Sequence, residues 1–544
     1  MSVMRNRNLR TAQLSSFAAW SGEFLFITTT TVYAFEQNGA AGAALIGFLR
    51  VLPAAIALPL VGALADRISR RSLLIGVTSA RTLTAGGAAI AAAADQPVVV
   101  YVLVTLSTIS HAAYRPTLGA MLPSLCTSPE ELAGSNAVRS VLDGLAGLIG
   151  PLVAAFLLAA FSPPAAFVAV AVLSVSSLLL VGALQYDPPP VAEPVRRSPG
   201  VLADIGDGLR ELRRSPHGSI VIALGILQSL VRGALTVFAV IVAVNLTGMG
   251  KAGVGVLWAA FGVGGLVAAL ASLGAAGSKR LGTVFGVGIA TWGLPLILCG
   301  VATHSFAVVA AFTVIGAANA LVDVSGFTLL QRVTPDRMLA RVLTLAEAVF
   351  ALATALGSLV VPPIDAALGH ADALIVIGCL LPSAVVVSYP LLRAMDRHIG
   401  ASTERIALLR RVGMLRLLPV PAIESLAAGV TMLHVPAGVD VIRKGDIGDN
   451  FYVIESGRMI LLDGGHEFGE LGPGDSFGEI ALLRRVLRTI TVRAAQDADL
   501  AVVSGPRFVA AVNGFSATAS TAEEIVGQHL LGDQRRHAEG GGQP

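Results

Sequence analysis

The chain has 544 residues, of which 54% are hydrophobic and 13% charged, with a mean hydropathy of +0.75. A soluble globular chain is about a quarter charged, so this balance excludes a soluble enzyme, a disordered protein and a nucleic-acid binder, and implies a polytopic membrane protein. The net charge of +3 averages two unlike segments: residues 1–400 hold 24 Lys or Arg against 18 Asp or Glu, whereas residues 401–544 hold 14 against 17, so a membrane part is expected to precede a soluble one.

Apolar stretches of about 20 residues, long enough to cross a bilayer, fall at 13–35, 41–64, 72–94, 98–120, 133–160, 164–185, 218–246, 252–276, 282–302, 305–330, 338–363 and 372–394. They predict an all-α membrane bundle of 12 transmembrane helices, in a 6+6 pseudo-repeat. The longest break, 186–217, is Pro-rich at first and then places Val201, Leu202, Ile205, Leu209 and Leu212 at helical spacing, which predicts an amphipathic interfacial helix between the halves. The halves echo each other, with TSPEELAGSNAVRSVLDGLAGLIGPLV at 127–153 resembling VTPDRMLARVLTLAEAVFALATALGSLV at 333–360 and Pro129 aligning with Pro335. Cys126, Cys299 and Cys379 have neither disulfide nor metal spacing.

Basic residues precede the first span (Arg5, Arg7, Arg10), follow the second (Arg67, Arg70, Arg71) and crowd the long break; the opposite set of loops carries only Lys251. By the positive-inside rule both termini and the central loop are expected in the cytoplasm, under a multi-pass assignment to the inner (plasma) membrane. The predicted organisation is an N-terminal six-helix bundle at 1–185, a cytoplasmic central loop at 186–217, a C-terminal six-helix bundle at 218–394, a linker helix at 395–415, a β domain at 416–535 and a disordered tail at 536–544.

The loop after the second span reads GALADRISRRSLL (62–74). A Gly, an Asp-Arg pair and an Arg-Arg cluster at this place resemble the gating-loop motif of the major facilitator superfamily of secondary transporters, matched by Gly62, Asp66, Arg67, Arg70 and Arg71. Gly permits close helix approach, the Asp suits a positive helix N-terminus, and the arginines suit acids or anionic lipid. GLAGLIGP (144–151), YRPTLGAMLP (114–123) and the segment 232–265 resemble the drug and siderophore exporters of that superfamily. The resemblance implies alternating access of two bundles and efflux of a small molecule.

Ionisable residues inside spans are costly and usually face partners or a water-filled path. There are eight candidates: Glu23, Asp143, Asp323 and Glu347 against Arg50, Arg81, Arg115 and Arg232. Their balance allows static interhelical salt bridges, as does the i, i+4 spacing of Arg139 and Asp143. Glu23, near the middle of the first span, is the expected proton-coupling carboxylate, with Arg50 or Arg115 modulating it and Asp323 as a further transport residue. Pocket side chains are expected among Phe24, Phe26, Trp258, Phe261 and Trp292.

From about 405 an amphipathic helical stretch gives way to β-like runs at 434–446, 450–462 and 488–503, separated by Gly- and Asp-rich turns. They predict a small β-roll or jelly-roll barrel with flanking helices. FGEIALLRRVLRTITVRA (477–494) resembles the phosphate-binding cassette of cyclic nucleotide-binding domains. The resemblance implies a ligand site at Phe477, Gly478, Glu479, Ile480, Ala481, Leu482, Arg488 and Thr489. Glu479 would accept the ribose 2′-OH, the amides of 480–482 and Arg488 would hold the cyclic phosphate, and Thr489 would add a hydroxyl. Leu487 stands where the family usually has Pro. The base is open between cAMP and cGMP, with cAMP the default. The segment 520–537 reads as a lid helix.

No catalytic constellation, P-loop or metal spacing stands out, so the chain is expected to be no enzyme and to need no cofactor beyond the regulatory nucleotide. The expected partners are a small-molecule substrate, the nucleotide and the bilayer, without nucleic acid. The favoured reading is a proton-coupled secondary transporter regulated by cyclic nucleotide; the alternative is a non-transporting membrane sensor.

Overall fold

The computed structural model describes residues 6–65, 68–126, 129–185, 210, 216–272, 280–302, 304–334, 336–418, 422–423, 426–427 and 429–514. The chain divides into two compact units, Met1–Met395 and Asp396–Pro544.

The first unit is helical. Its opening helix, α1 (Arg7–Ala65), has 59 residues, about 90 Å at the helical rise, against a hydrocarbon core of about 30 Å. It is two passes joined across non-helical Asn38 and Gly39, and the φ of +59° at Gly39 is a conformation that glycine adopts without strain. There follow α2 (Arg70–Ala93), α3 (Pro97–Ala112), α4 (Tyr114–Leu125), α5 (Pro129–Ala160), α6 (Pro163–Gly182), α7 (Pro216–Ile241), α8 (Gly250–Ser272), α9 (Leu281–Val301), α10 (Ser305–Val333), α11 (Asp336–Leu368) and α12 (His370–Leu409). Among the described residues 11 helices are long and apolar enough to cross a membrane. Because the first of these is double, they make the twelve passes expected from hydropathy. Side chains such as Leu83, Phe306 and Val387 are at least 75% exposed, a surface that suits lipid and would be a liability in water.

Small residues set the helix crossings. On α5, a Cβ at Gly150 would lie 2.6 Å from the Ser21 carbonyl oxygen of α1, and one at Gly262 of α8 would lie 2.6 Å from the Gly147 carbonyl oxygen. Gly233 of α7 faces the Thr354 carbonyl of α11 and Gly357 of α11 faces the Leu230 carbonyl of α7, each too closely for any side chain. The second pass in α1 meets α11 through Ser358, whose hydroxyl donates to the Ala44 carbonyl at 3.1 Å. The contacts of α5 with α8 and of α11 with α1 exchange under the sequence repeat, since α5 and α11 open at Pro129 and just after Pro335. Helix α12 continues past Met395 to Leu409, through much of the segment expected as a linker helix, and a 3-10 turn at Gly413–Leu415 follows.

Among its described residues the second unit holds eight strands: β1 (Thr431–Val435), β2 (Asp440–Ile442), β3 (Asn450–Ser456), β4 (Met459–Asp463), β5 (His466–Leu471), β6 (Ser476–Phe477), β7 (Thr491–Ala494) and β8 (Ala498–Ser504). Two four-stranded sheets, ordered β1-β8-β3-β6 and β2-β7-β4-β5, pair the first strand with the last and the others inward in turn, all antiparallel. This is the jelly-roll pattern. Alternation along the strands buries both faces of the first sheet. Tyr452, Ile454 and Leu500 point between the sheets, to Met459, Phe477 and Val492. Phe451, Val453, Ala501 and Val503 pack against Leu409, Val412, Leu415 and helix α14 (Gly505–Asn513), where Phe451 stacks on Phe508 with centroids 4.2 Å apart. One short helix, α13 (Glu479–Arg484), leaves β6.

Asp66, Arg67, the lid helix at 520–537 and, except for Arg210, the amphipathic segment 201–212 lie outside the described residues. Of the cysteines, Cys299 is buried and Cys379 exposed, and neither they nor Cys126 form a disulfide.

Candidate functional site

Among the described residues of the membrane unit, three groups of polar side chains hold ionisable residues singled out by the sequence. In the first, Glu23 of α1 is buried beside Arg81 of α2 (2.8 Å), Arg50 of α1 (3.7 Å) and His111 of α3 (3.9 Å). The kink in α1 lets one helix supply both Glu23 and Arg50. Arg81 lies over the Phe26 ring, and His111 is edge-on to Trp20 and stacked on Tyr114. In the second group Arg115 stands 3.8 Å from Asp143 and over the Trp20 ring. Arg115 is thus engaged with Asp143, and the side chains in the Glu23 cluster are Arg50, Arg81 and His111. Local pattern singles out charged residues in spans, but His111 has no formal charge and its role emerges only from the packing of α3 on α1 and α2.

The third group is in the C-terminal half. Arg232 of α7 donates to Asn319 Oδ1 at 2.7 Å and Asp323 Oδ1 at 3.2 Å, and Asn319 donates to Asp323 Oδ2 at 2.9 Å, one turn along α10. Asn319, an uncharged residue in an apolar run, gives no signal at the level of sequence.

A cavity of about 540 Å³ lies between the halves, bordered by Arg50, Arg115, Asp143, Arg232, Asn319 and Asp323, within the usual size of a small-molecule site. A second, of about 480 Å³, shares Arg115, Arg232, Asp323 and Thr354 with it and adds Glu347 and Gln228. Of the aromatic residues expected at a pocket, Phe24, Trp258 and Phe261 border the larger cavity. Phe26 instead packs edge-on against Phe167, and Trp292 is fully buried with its indole NH 3.4 Å from Asn319 Oδ1. The loop motif places Gly62 within α1; Ser69 caps α2 by accepting from the Ser72 amide; Arg70 opens α2; and Arg71 donates to the Gly182 carbonyl at 2.8 Å.

In the second unit a pocket of about 190 Å³ is lined by Phe477, Gly478, Glu479, Ile480, Ala481, Arg488 and Thr489, with Ile442, Leu461 and Phe468 as its apolar wall. Leu482, the remaining residue of the cassette, is not among the lining residues and packs instead onto the helical core and Gly505. Glu479 and Arg488 are 3% and 4% exposed. Arg488 donates to the carbonyls of Gly478 (2.8 Å) and Asn450 (2.7 Å), and burial lowers its pKa. Gly478 has φ +95°, and a Cβ there would lie 2.6 Å from Arg488 Nη1, so both backbone and space demand glycine. Buried arginine, carboxylate and short-helix amides around one pocket are suited to an anion carrying hydroxyls.

Twelve membrane-length passes around a charged cavity define a polytopic bundle of transporter type. Residues 13–358 match the model of the Major Facilitator Superfamily, and the chain belongs to that superfamily; residues 432–514 match the Cyclic nucleotide-binding domain and form such a domain after the bundle. A crystal structure of a POT family transporter with 5-aminolevulinic acid aligns with a TM-score of 0.59 at 13% identity, covering 72% of this chain and 97% of that one. A nucleoside transporter aligns with a TM-score of 0.59 at 15% identity, covering 71% and 99%. At such identity the likeness is one of fold. An uncharacterized protein of Mycobacterium tuberculosis is 36% identical over 103 residues, 19% of this chain and 20% of that protein. The cAMP-dependent protein kinase regulatory subunit of Schizosaccharomyces pombe is 36% identical over 103 residues, 19% of this chain and 25% of that one. The chain spans about a fifth of the length of the curated relatives it matches.

Proposed function

We propose that this protein is a secondary active transporter that exports a small molecule by alternating access, is coupled to protons through Glu23, and is adjusted by cAMP or cGMP bound in the cytosol. The reading rests above all on one chain holding a charged cavity between two bundle halves and a pocket with Glu479 and Arg488 on its wall. Substrate binds in the cavity, and the halves exchange access by rocking on the glycine-lined contacts of α5 with α8 and of α1 with α11. Of the exporter-like motif, Gly144, Gly147 and Pro151 lie at the contact of α5 with α8 and Gly150 at that of α5 with α1, and the motif supports efflux. Glu23 gains or loses its proton within reach of Arg81, Arg50 and His111, while Asp323 and Arg232 hold the opposite wall. The Gly62, Asp66, Arg67, Arg70 and Arg71 loop acts as the gate on the cytoplasmic side. Names of relatives that specify cAMP dependence or cGMP dependence support either nucleotide; cAMP is the default.

Regulation requires the nucleotide to bind the transporter's states with different affinities. Proton-driven flux in proteoliposomes, with and without cAMP or cGMP on the side of the nucleotide domain, tests the whole reading. Wild type is expected to respond and Arg488→Ala to carry flux without responding; Glu23→Gln is expected to lose the proton dependence. Equal responses of wild type and Arg488→Ala remove the regulation, and proton-dependent flux in Glu23→Gln removes the coupling assignment.

A further inference from the structure

The charges bordering the two cavities do not cancel side by side. Arg115 stands with Asp143 and Arg232 with Asp323, but Glu23 serves two arginines, so the N-terminal half has one guanidinium in excess. The nearer partner of Glu23 is Arg81 at 2.8 Å; Arg50 is at 3.7 Å, is 7% exposed, has no hydrogen-bond partner for Nε among the described residues, and borders the larger cavity. In the C-terminal half the surplus is negative. Glu347 borders the second cavity without a hydrogen bond or ion pair to the described residues, and shares the field of Arg232 with Asp323, the direct partner of that arginine.

The cavities share four lining residues, so Arg50 and Glu347 face connected space. Their separation follows from the bond between Ser358 and Ala44, which fixes the register of two antiparallel passes. From that bond, Arg50 lies six residues along α1 and Glu347 eleven along α11, in the same direction, which sets them about 7 Å apart along the helix axes. Excess charge in a membrane interior is expensive unless matched. A ligand with one negative and one positive group matches both surpluses and leaves the bundle's charge unchanged.

We infer that the cavity takes a zwitterion, with its anionic group at Arg50 and its cationic group at Glu347, the charges at least about 7 Å apart. The inference rests on the transporter reading for its purpose but on the charge placement for its content. The test uses the purified full chain and three probes of one size: ε-aminocaproate, caproate and hexylamine, with binding read from tryptophan fluorescence, since Trp258 borders the cavity. Wild type is expected to bind ε-aminocaproate at least about tenfold more tightly than either singly charged probe. Arg50→Gln should bring ε-aminocaproate level with hexylamine, Glu347→Gln should bring it level with caproate, and Arg50→Lys should keep the wild-type order.

Caproate or hexylamine binding wild type as tightly as the zwitterion, no binding of any probe, or an unchanged order in both Gln variants overturns the inference. A wild-type melting temperature and monodisperse elution of each variant in detergent report that the bundle is folded. Counterflow of ε-aminocaproate in proteoliposomes reads transport separately. Selective binding without counterflow removes transport and leaves the zwitterion site; equal counterflow of all three probes leaves transport and removes the site.

Discussion

In the proposed reading, nucleotide recognition turns on Arg488. Its guanidinium is buried against Tyr452 and fixed by two backbone carbonyls, so it is already oriented when an anion arrives. A hydrogen bond to a charged group contributes about 1.5–3 kcal/mol. Arg488→Ala is therefore expected to weaken cAMP binding roughly 10- to 150-fold, read by calorimetry on the full chain. Asp440 makes a different prediction. It accepts from Arg493 Nε at 2.6 Å and Arg443 Nε at 3.1 Å, and the bond from Arg493 above all holds its carboxyl below the usual range. A carboxylate with a lowered folded-state pKa stabilises the fold above its unfolded value, about 3.9, and that stabilisation disappears as pH falls through the folded value. Asp440→Asn should thus melt lower than wild type at pH 6, and the two curves should converge in acid. Residues of this kind were unevenly legible. Glu479 and Arg488 sit nine positions apart on one short segment, so the resemblance of that segment to a phosphate-binding cassette is enough to find them. Glu23 and Arg50 stand out because charges are rare in spans, but the third and fourth members of their cluster, Arg81 and His111, come from other helices and are assigned only by packing.

At the scale of elements, the membrane helices owe their contacts to glycine where apolar attraction between helices is weak. The crossing of α7 with α11 is reciprocal: Gly233 meets the Thr354 carbonyl and Gly357 meets the Leu230 carbonyl. A larger side chain cannot move aside because backbone opposes it, and overpacking typically costs about 1–3 kcal/mol or more. Gly233→Leu is expected to lower the melting temperature of the detergent-solubilised protein and the yield of monodisperse material, while Gly76→Leu, where no atom lies within 4 Å of a Cβ, should leave both near wild type. Twelve passes were legible because hydrocarbon thickness imposes one length on each. Which pass meets which is a non-local property, visible beforehand only through the repeat that relates α5 to α11. The same limit holds in the barrel. Gly and Asp turns mark the strands, but the nested pairing of β1 with β8 and β2 with β7 joins residues some 50 to 70 positions apart, for which strand-level alternation contains no information.

At the scale of the whole molecule, the proposed regulation is carried most directly by an element that both units share. Helix α12 is the candidate, since the boundary at Met395 falls inside it and its final residues, Leu408 and Leu409, belong to the core that also holds Phe451 and Phe508. A helix transmits rotation and thrust along its axis as long as its hydrogen bonds are continuous. Proline in a helix interior removes one of these bonds, clashes with the preceding turn and costs about 3 kcal/mol. Ala401→Pro places that break within α12, beyond the membrane-length stretch His370–Arg397 and before Leu408. The expected result is a protein that binds cAMP with wild-type affinity by calorimetry and carries wild-type basal flux in proteoliposomes, but whose flux no longer changes when nucleotide is added. A full nucleotide response in Ala401→Pro would mean that the signal bypasses α12, through faces of the two units rather than along the chain that joins them.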